Sequence, residues 1–214
     1  MSGLVLFDLD NTLVNRERAF LLWAQQFLAE RNLDATDLDW VVAVDADGKQ
    51  SRAAFFQALR ARFGFGDSDE ALIAAYLKDV QAFYEPEPPT LDALEALRYA
   101  GWKLAVVTNG PATQMDKIRA AGLDKVLDAW CMSGVIGVAK PEKAVFEEAA
   151  RRLGVPLDGG WMVGDTPEID ILGGKRAGMR TAWMARKRTW SITEYAPDLV
   201  ASDIAEVSKR ILNP

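Results

Sequence analysis

The 214-residue sequence predicts an α/β protein, a doubly wound, Rossmann-like parallel sheet interrupted after its first strand by a small helical insert. Three features lead there. An apolar run, Leu4-Val5-Leu6-Phe7, ends in acids at Asp8 and Asp10, as a buried strand does where it meets a polar turn. Beyond residue 102, short apolar runs alternate with stretches of helical period, the pattern of βαβ units. Between residues 15 and 85 the apolar positions follow helical spacing, with no convincing strand.

The first strand covers 4–8. Residues i and i+2 of a strand point the same way, so Asp8 and Asp10 can converge at the carboxyl end, where open α/β sheets bind ligands. Two like charges that close require a cation or a shared proton between them; an Asx turn at a strand end is the alternative that these residues alone leave open. Helices are expected over 16–31, 34–44, 51–63 and 68–84. The third carries Phe55, Phe56, Leu59 and Phe63, and the fourth Leu72, Tyr76 and Val80. A polar turn of mixed charge, residues 45–52, separates the second from the third. Glu85-Pro86-Glu87-Pro88-Pro89 reads as a stiff linker, because proline stops helices and extends its predecessor.

After the linker come a helix at 90–100, a strand at 103–108, a helix at 112–121 ending at Gly122, and a strand near 126–132. A helix at 142–153 ends at Gly154 and precedes a strand at 160–164; a helix at 168–177, closed by Gly178, leads to a strand at 179–184. A short strand near 198–201 and a helix at 203–212 complete the pattern. One arrangement uses all the pieces: residues 1–14 and 86–214 form the α/β domain, and 15–85 form a helical domain serving as a lid that excludes water.

A formal charge of -6 and a pI near 4.9 argue against a nucleic acid or an anionic membrane surface as partner, since both demand a basic field. The single cysteine, Cys131, rules out an internal disulfide and fits a reducing compartment. With no signal-peptide pattern and no run of 18 apolar residues, the expected location is the cytoplasm. There is no histidine, which removes His-based triads and His-ligated zinc and leaves acid/base chemistry to carboxylates, Lys or Cys. A metal here would be a hard one held by oxygen.

Three further strand ends are polar where packing does not require it. Thr108-Asn109-Gly110-Pro111 places a hydroxyl and an amide before a helix, whose free N–H groups favour an anion, although for this stretch alone an ordinary helix cap is the simpler reading. Lys140-Pro141 puts a lysine at a helix start, a position that solvated lysines also occupy. Gly164-Asp165-Thr166-Pro167-Glu168-Ile169-Asp170 sets two acids beyond a Trp-Met-Val strand, where a capped helix start is the plainer alternative.

In this order the four pieces resemble the four motifs of the haloacid dehalogenase superfamily of hydrolases: Asp-x-Asp-x-Thr at residues 8–12, Thr108, Lys140, and Gly164-Asp165 with Asp170. The insert resembles the small α-helical cap of the first cap class. Thr108-Asn109-Gly110, Gly137-Val138-Ala139-Lys140-Pro141 and Met162-Val163-Gly164-Asp165-Thr166 are most similar to the branch of nucleotidases and sugar-phosphate phosphatases.

The resemblance implies a phosphatase of small phosphorylated metabolites, nucleoside monophosphates or sugar phosphates, working as a monomer or homodimer. Asp8 is then the nucleophile that forms an aspartyl phosphate, and Asp10 the acid for the leaving alcohol and the base for water. Mg²⁺ is held by Asp8, the Asp10 carbonyl and Asp165, with Asp170 orienting its waters. Thr108, Asn109 and Lys140 bind phosphoryl oxygens, Lys140 also shields the nucleophile, and Thr12 positions Asp10. Lys49, Arg52 and Arg16 of the insert are candidates for reading the leaving group, with solvated surface charge the alternative for each. Two departures stand out. Ile169 occupies a place where many relatives carry Asn, and Glu168 adds a third acid that is either a metal ligand or a favourable first-turn charge. A phosphosugar mutase, a dehalogenase on the same fold, and a phosphate-binding module without turnover are the competing readings; Asp10 favours phosphate esters over carbon–halogen bonds or phosphonates.

Overall fold

β1 (Leu4–Phe7) is buried at every residue, because it pairs in parallel on both edges and packs on both faces, a position that demands an unbroken apolar run. The structure, a computed structural model, describes residues 3–86 and 88–213. It divides into two units, one of residues 16–85 and one joining the chain up to Asn15 with the chain from Pro86 onward.

The unit of residues 16–85 consists of α1 (Arg16–Glu30), α2 (Leu38–Asp45), α3 (Arg52–Phe63) and α4 (Asp69–Asp79), with no strand among the described residues. The helices expected at 34–44 and 68–84 are each divided. Ala35–Asp37 forms a 3₁₀ turn because the Asp34 carboxylate accepts the Thr36 N–H at 2.8 Å, and α4 tightens into a 3₁₀ turn over Val80–Phe83. Along α1 the buried residues Phe20, Trp23, Ala24, Phe27 and Leu28 recur at helical spacing. Trp23 stacks on Phe27 at 4.9 Å between centroids and meets Tyr76 of α4 edge-on at 4.8 Å, while Phe55 and Phe56 of α3 close the cluster.

A buried ion network lies beside these rings. After α2 the backbone turns left-handed at Ala46 (φ 50°), Asp47 (φ 55°) and Gly48 (φ 77°), which costs about 1–2 kcal/mol at each non-glycine position. Asp45, 1% exposed, holds this turn. Its carboxylate accepts Arg16 Nη1 at 2.6 Å, Arg16 Nη2 at 2.7 Å, Arg52 Nη2 at 2.8 Å and the Gly48 N–H at 2.9 Å. Burial alone would raise the Asp45 carboxyl, but the two guanidiniums outweigh it and hold the group below its ordinary 3.8.

In the larger unit follow α5 (Pro88–Tyr99), β2 (Lys103–Thr108), α6 (Gln114–Ala120), β3 (Ala129–Met132), α7 (Ser133–Ile136), α8 (Lys143–Leu153), β4 (Trp161–Gly164), α9 (Leu172–Arg176), β5 (Arg180–Met184), β6 (Leu199–Ala201) and α10 (Ile204–Leu212). The strands form one parallel sheet in the order β3-β2-β1-β4-β5-β6. α5 starts two residues earlier than expected and takes in Pro88 and Pro89, which the linker reading left outside a helix; Glu87 of that linker lies outside the described residues. A first helical turn makes no use of its own N–H groups, so proline fits there. β3 is shorter than the expected 126–132: Leu123–Lys125 forms a 3₁₀ turn, and Asp128 meets β2 with its N–H on the Leu104 carbonyl (2.8 Å) and its side chain on the Leu104 N–H (2.9 Å). The helix expected at 168–177 begins instead as a π-helical turn over Pro167–Ile171.

On one face of the sheet Leu4, Leu6, Ala105, Val107, Cys131 and Met162 pack with Val145, Phe146 and Ala149 of α8. Alternation sends Val5, Phe7, Leu104 and Val106 to the other face, also fully buried. The chain runs outward from β1 to β2 and β3, then returns to β4 on the far side of β1. Strand order therefore reverses between β1 and β4, and the crevice beyond their carboxyl ends is where this architecture places a ligand. Among the described residues no helix is long and apolar enough to cross a membrane.

Replacing Asp45 by alanine takes the shared carboxylate from the buried Arg16 and the part-exposed Arg52 and should cost about 3 kcal/mol in urea denaturation of the full chain. Because the folded carboxyl titrates below its unfolded value, its contribution is complete above about pH 4 and is lost as pH falls through the folded pKa. The wild-type advantage over Asp45→Ala should accordingly shrink in denaturation curves taken below pH 4.

Candidate active site

Asp8 continues the pairing of β1, its N–H donating to the Val163 carbonyl of β4 at 2.8 Å, so its side chain emerges at the strand's carboxyl end. The next residues close on themselves. The Leu9 carbonyl accepts the N–H groups of Thr12, Leu13 and Val14 at 3.3, 3.0 and 3.1 Å, Asn11 turns left-handed (φ 62°), and its N–H reaches the Val14 carbonyl at 2.7 Å. Leu9, Leu13 and Val14 are buried and anchor the turn. Asp10 is thereby presented from a fixed loop.

Lys140 lies at the centre of the site, 4% exposed. Its Nζ donates to Asp8 Oδ1 at 2.6 Å and to Asp170 Oδ1 at 2.7 Å. Burial alone would depress the ammonium, but the carboxylates of Asp170 and Asp8 more than reverse this and push it above its ordinary range. Asp8 feels the opposite balance: burial raises it, Lys140 lowers it, Asp170 and Asp165 raise it again, and the result is about 7.

Asp170 owes its place to the π-helical turn and to a glycine. Its Oδ2 accepts the Thr166 N–H at 3.0 Å, and a Cβ built on Gly164 would fall 2.3 Å from the Asp170 Cγ, so only glycine permits this approach. Asp165 is gripped from β5 and the turn after it. Its Oδ2 accepts Arg186 Nη1 at 2.9 Å and Arg188 Nη2 at 3.3 Å, while its carbonyl accepts Trp183 Nε1 at 2.9 Å and Arg188 Nη2 at 2.6 Å. Burial raises the Asp165 carboxyl, with Arg186 opposing. One carboxylate oxygen each from Asp8, Asp165 and Asp170 lies within 4.8 Å of the others. These donors are hard oxygens on acids drawn together against their own repulsion, a set that fits a small divalent cation such as Mg²⁺.

The expected residues sort into three groups. Asp8, Lys140, Asp165 and Asp170 meet. Thr108, 2% exposed at the end of β2, and Asp10 are joined through Gln114, whose Nε2 lies 3.2 Å from Thr108 Oγ1 and 3.3 Å from Asp10 Oδ2. Asn109 does not offer its side chain to a phosphoryl group: its Nδ2 donates to the Lys140 carbonyl and its Oδ1 accepts the Lys140 N–H, both at 2.9 Å, so it clamps the lysine loop to β2. Thr12 does not hold Asp10. Its buried hydroxyl has no hydrogen-bond partner among the described residues, and Asp10 is instead gripped by Lys117, whose Nζ lies 2.8 and 2.7 Å from the two carboxylate oxygens. Glu168 is exposed and stands outside the acid triad. Arg16 and Arg52 belong to the other unit and are spent on Asp45, so solvated charge does not describe them; Lys49 is exposed.

Lys117, Gln114, Arg186 and Arg188 are the residues that motif reasoning missed. A usable signal existed for the first pair, since donors three apart share a helix face one turn beyond a strand end. For the arginines the signal was their place directly after the carboxyl end of β5.

A family model described as haloacid dehalogenase-like hydrolase matches residues 3–178. The chain is 33% identical over 155 residues to phosphoserine phosphatase of Thermus thermophilus, covering 72% of this chain but 61% of that protein, so the match spans under two thirds of the relative's length. It is 30% identical to the pyrimidine 5′-nucleotidase YjjG of Escherichia coli, over 96% of both chains. The solved structure of a HAD phosphatase from Thermococcus onnurineus superposes with a TM-score of 0.70 at 26% identity, covering 100% of this chain and 98% of that one.

Lys140→Met would strand Asp170 and Asp8 without their cation and should destabilise the metal-free protein by about 3–5 kcal/mol in urea denaturation. Asn109→Ala, which removes two neutral hydrogen bonds, should cost about 1–3 kcal/mol by the same measurement.

Proposed function

The chain belongs to the haloacid dehalogenase-like hydrolases, and from that premise we propose that it is a Mg²⁺-dependent phosphomonoesterase acting on small phosphorylated metabolites of the nucleoside monophosphate or sugar phosphate class. The observation that carries this reading is the convergence of Asp8, Asp165 and Asp170 at the carboxyl ends of β1 and β4, with Lys140 bridging Asp8 and Asp170. Two relatives bear the names of a phosphatase and a 5′-nucleotidase, which supports ester hydrolysis.

An Asp8 carboxylate oxygen attacks phosphorus, and the bond from phosphorus to the ester oxygen breaks as the new one forms. Asp10 gives its proton to the departing oxygen, which leaves as the alcohol. Water then loses a proton to Asp10 and attacks the aspartyl phosphate, releasing inorganic phosphate and restoring Asp8. Asp8, Asp165, Asp170 and the Asp10 backbone carbonyl would hold Mg²⁺, whose charge when bound offsets the repulsion between carboxylate and phosphoryl group. Lys140 steers the nucleophilic carboxylate, and with the Thr108 hydroxyl it binds phosphoryl oxygens. Asn109 acts through Lys140 by fixing its backbone. Asp10 is the residue that separates this reading from dehalogenation, which protonates no alcohol.

Asp8→Asn should lower kcat by at least about 10³-fold with the fold intact by circular dichroism. Asp10→Asn should slow alkyl phosphates by about 10²–10⁴-fold and p-nitrophenyl phosphate far less in its first turnover, because nitrophenolate needs no proton to leave. Chelation should silence turnover, with Mg²⁺ restoring it and the larger, more loosely coordinated Ca²⁺ failing to. Full activity in excess chelator would sink the metal assignment.

A further inference from the structure

We propose that Lys117 and Gln114, one turn apart on α6, are the positioning residues that hold the Asp10 carboxylate in line for proton transfer, an inference that rests on the acid/base role proposed for Asp10. Lys117 straddles the carboxylate, its Nζ 2.8 Å from Oδ1 and 2.7 Å from Oδ2, which fixes both the direction of the side chain and the plane of the carboxylate. Gln114 Nε2 ties Oδ2 to the Thr108 hydroxyl, linking the loop after β1 to the end of β2.

The chain keeps room for this device and fastens its base. A Cβ on Gly110 would lie 2.8 Å from both Cγ and Nε2 of Gln114, so a side chain at 110 would push Gln114 off its present position. The Gly110 N–H donates to Ser133 Oγ at 3.0 Å and its carbonyl accepts the Gly134 N–H at 2.9 Å, pinning the segment from which α6 starts to the end of β3. Within the first-strand motif, the Thr12 hydroxyl supplies no such hold, having no hydrogen-bond partner among the described residues. Each acid of that motif thus has its own lysine from a different part of the chain: Lys140 for Asp8 and Lys117 for Asp10.

A general acid must lie within hydrogen-bond reach of the oxygen it protonates, and a misplacement of about 1 Å costs about 10²-fold. The loss falls on the two proton transfers, from Asp10 to the leaving oxygen and from water to Asp10, and leaves the attack of Asp8 on phosphorus unaffected.

The test compares the wild-type chain, Lys117→Met, Lys117→Arg, Asp8→Asn and Asp10→Asn in Mg²⁺, with glycerol 2-phosphate and p-nitrophenyl phosphate, by steady-state assay and rapid mixing. Lys117→Met should lower kcat for the alkyl ester by about 10²-fold with KM little changed. With the aryl ester it should give a fast burst of about one equivalent of nitrophenolate followed by slow turnover, because only the water step is impaired. Lys117→Arg, which keeps a two-pronged cation, should recover most of the loss. Equal slowing of both esters in the first turnover, or no slowing, overturns the inference. If Asp10→Asn itself fails to discriminate between the esters in the first turnover, the acid/base reading of Asp10 falls. If it discriminates and Lys117→Met does not, the positioning role falls alone. Should Lys117→Met fold poorly by circular dichroism, Lys117→Gln reads the same ratio.

Discussion

The contact on which the larger unit's chemistry depends is the buried ammonium of Lys140 between Asp8 and Asp170. The three residues come from the end of β1, the segment before α8 and the π-helical turn after β4, with 132 residues separating the first pair and 30 the second. Charges that deep cost several kcal/mol each to desolvate and are tolerated only when paired. The lysine is therefore as much a structural tie as a chemical group. Its backbone is clamped by Asn109 on both sides, so the ends of β1, β2 and β4 are referred to one point.

Around that point positive charge is distributed with some order. Asp8 and Asp170 share Lys140, Asp10 has Lys117, and Asp165 has Arg186 and Arg188. Four carboxylates at the end of one sheet would otherwise repel one another with no counter-charge between them. Arg186 and Lys187 adopt left-handed backbone (φ 48° and 62°), a conformation non-glycine residues avoid unless their surroundings over-determine it. The four contacts that Arg186 and Arg188 make to Asp165 and to the Met184 carbonyl supply that determination. The smaller unit solves a similar problem in reverse, with one acid, Asp45, serving two guanidiniums and a strained turn.

The sheet was legible in the sequence because a central parallel strand must be apolar throughout, and the runs Leu4–Phe7, Leu104–Val107 and Met162–Val163 have no other use. The motif acids were legible because polar side chains directly after such runs have no packing role. What escaped was whatever depends on the partner rather than on the residue. Lys117 is compositionally the same as any helix-surface lysine until Asp10, 107 residues away, is brought beside it. Asn109 carries the composition of a ligand and the geometry of a clamp, and the difference lies in a loop 31 residues on. The same holds for Arg16 and Arg52: nothing local marks Asp45 as the buried anion that claims them. Element boundaries moved where side chains cap or substitute for backbone, as Asp34 does for a helix and Asp128 for a strand.

The loop after β1 satisfies its own backbone before the chain departs toward Arg16: the Leu9 carbonyl takes three N–H groups and Asn11 closes onto Val14. Nothing in that closure draws on what comes next. The seat of Asp8 and Asp10 is thus braced by hydrogen bonds that begin and end within residues 9–14. A reactive end built this way carries its own splint, which sets the direction of both acids by local geometry.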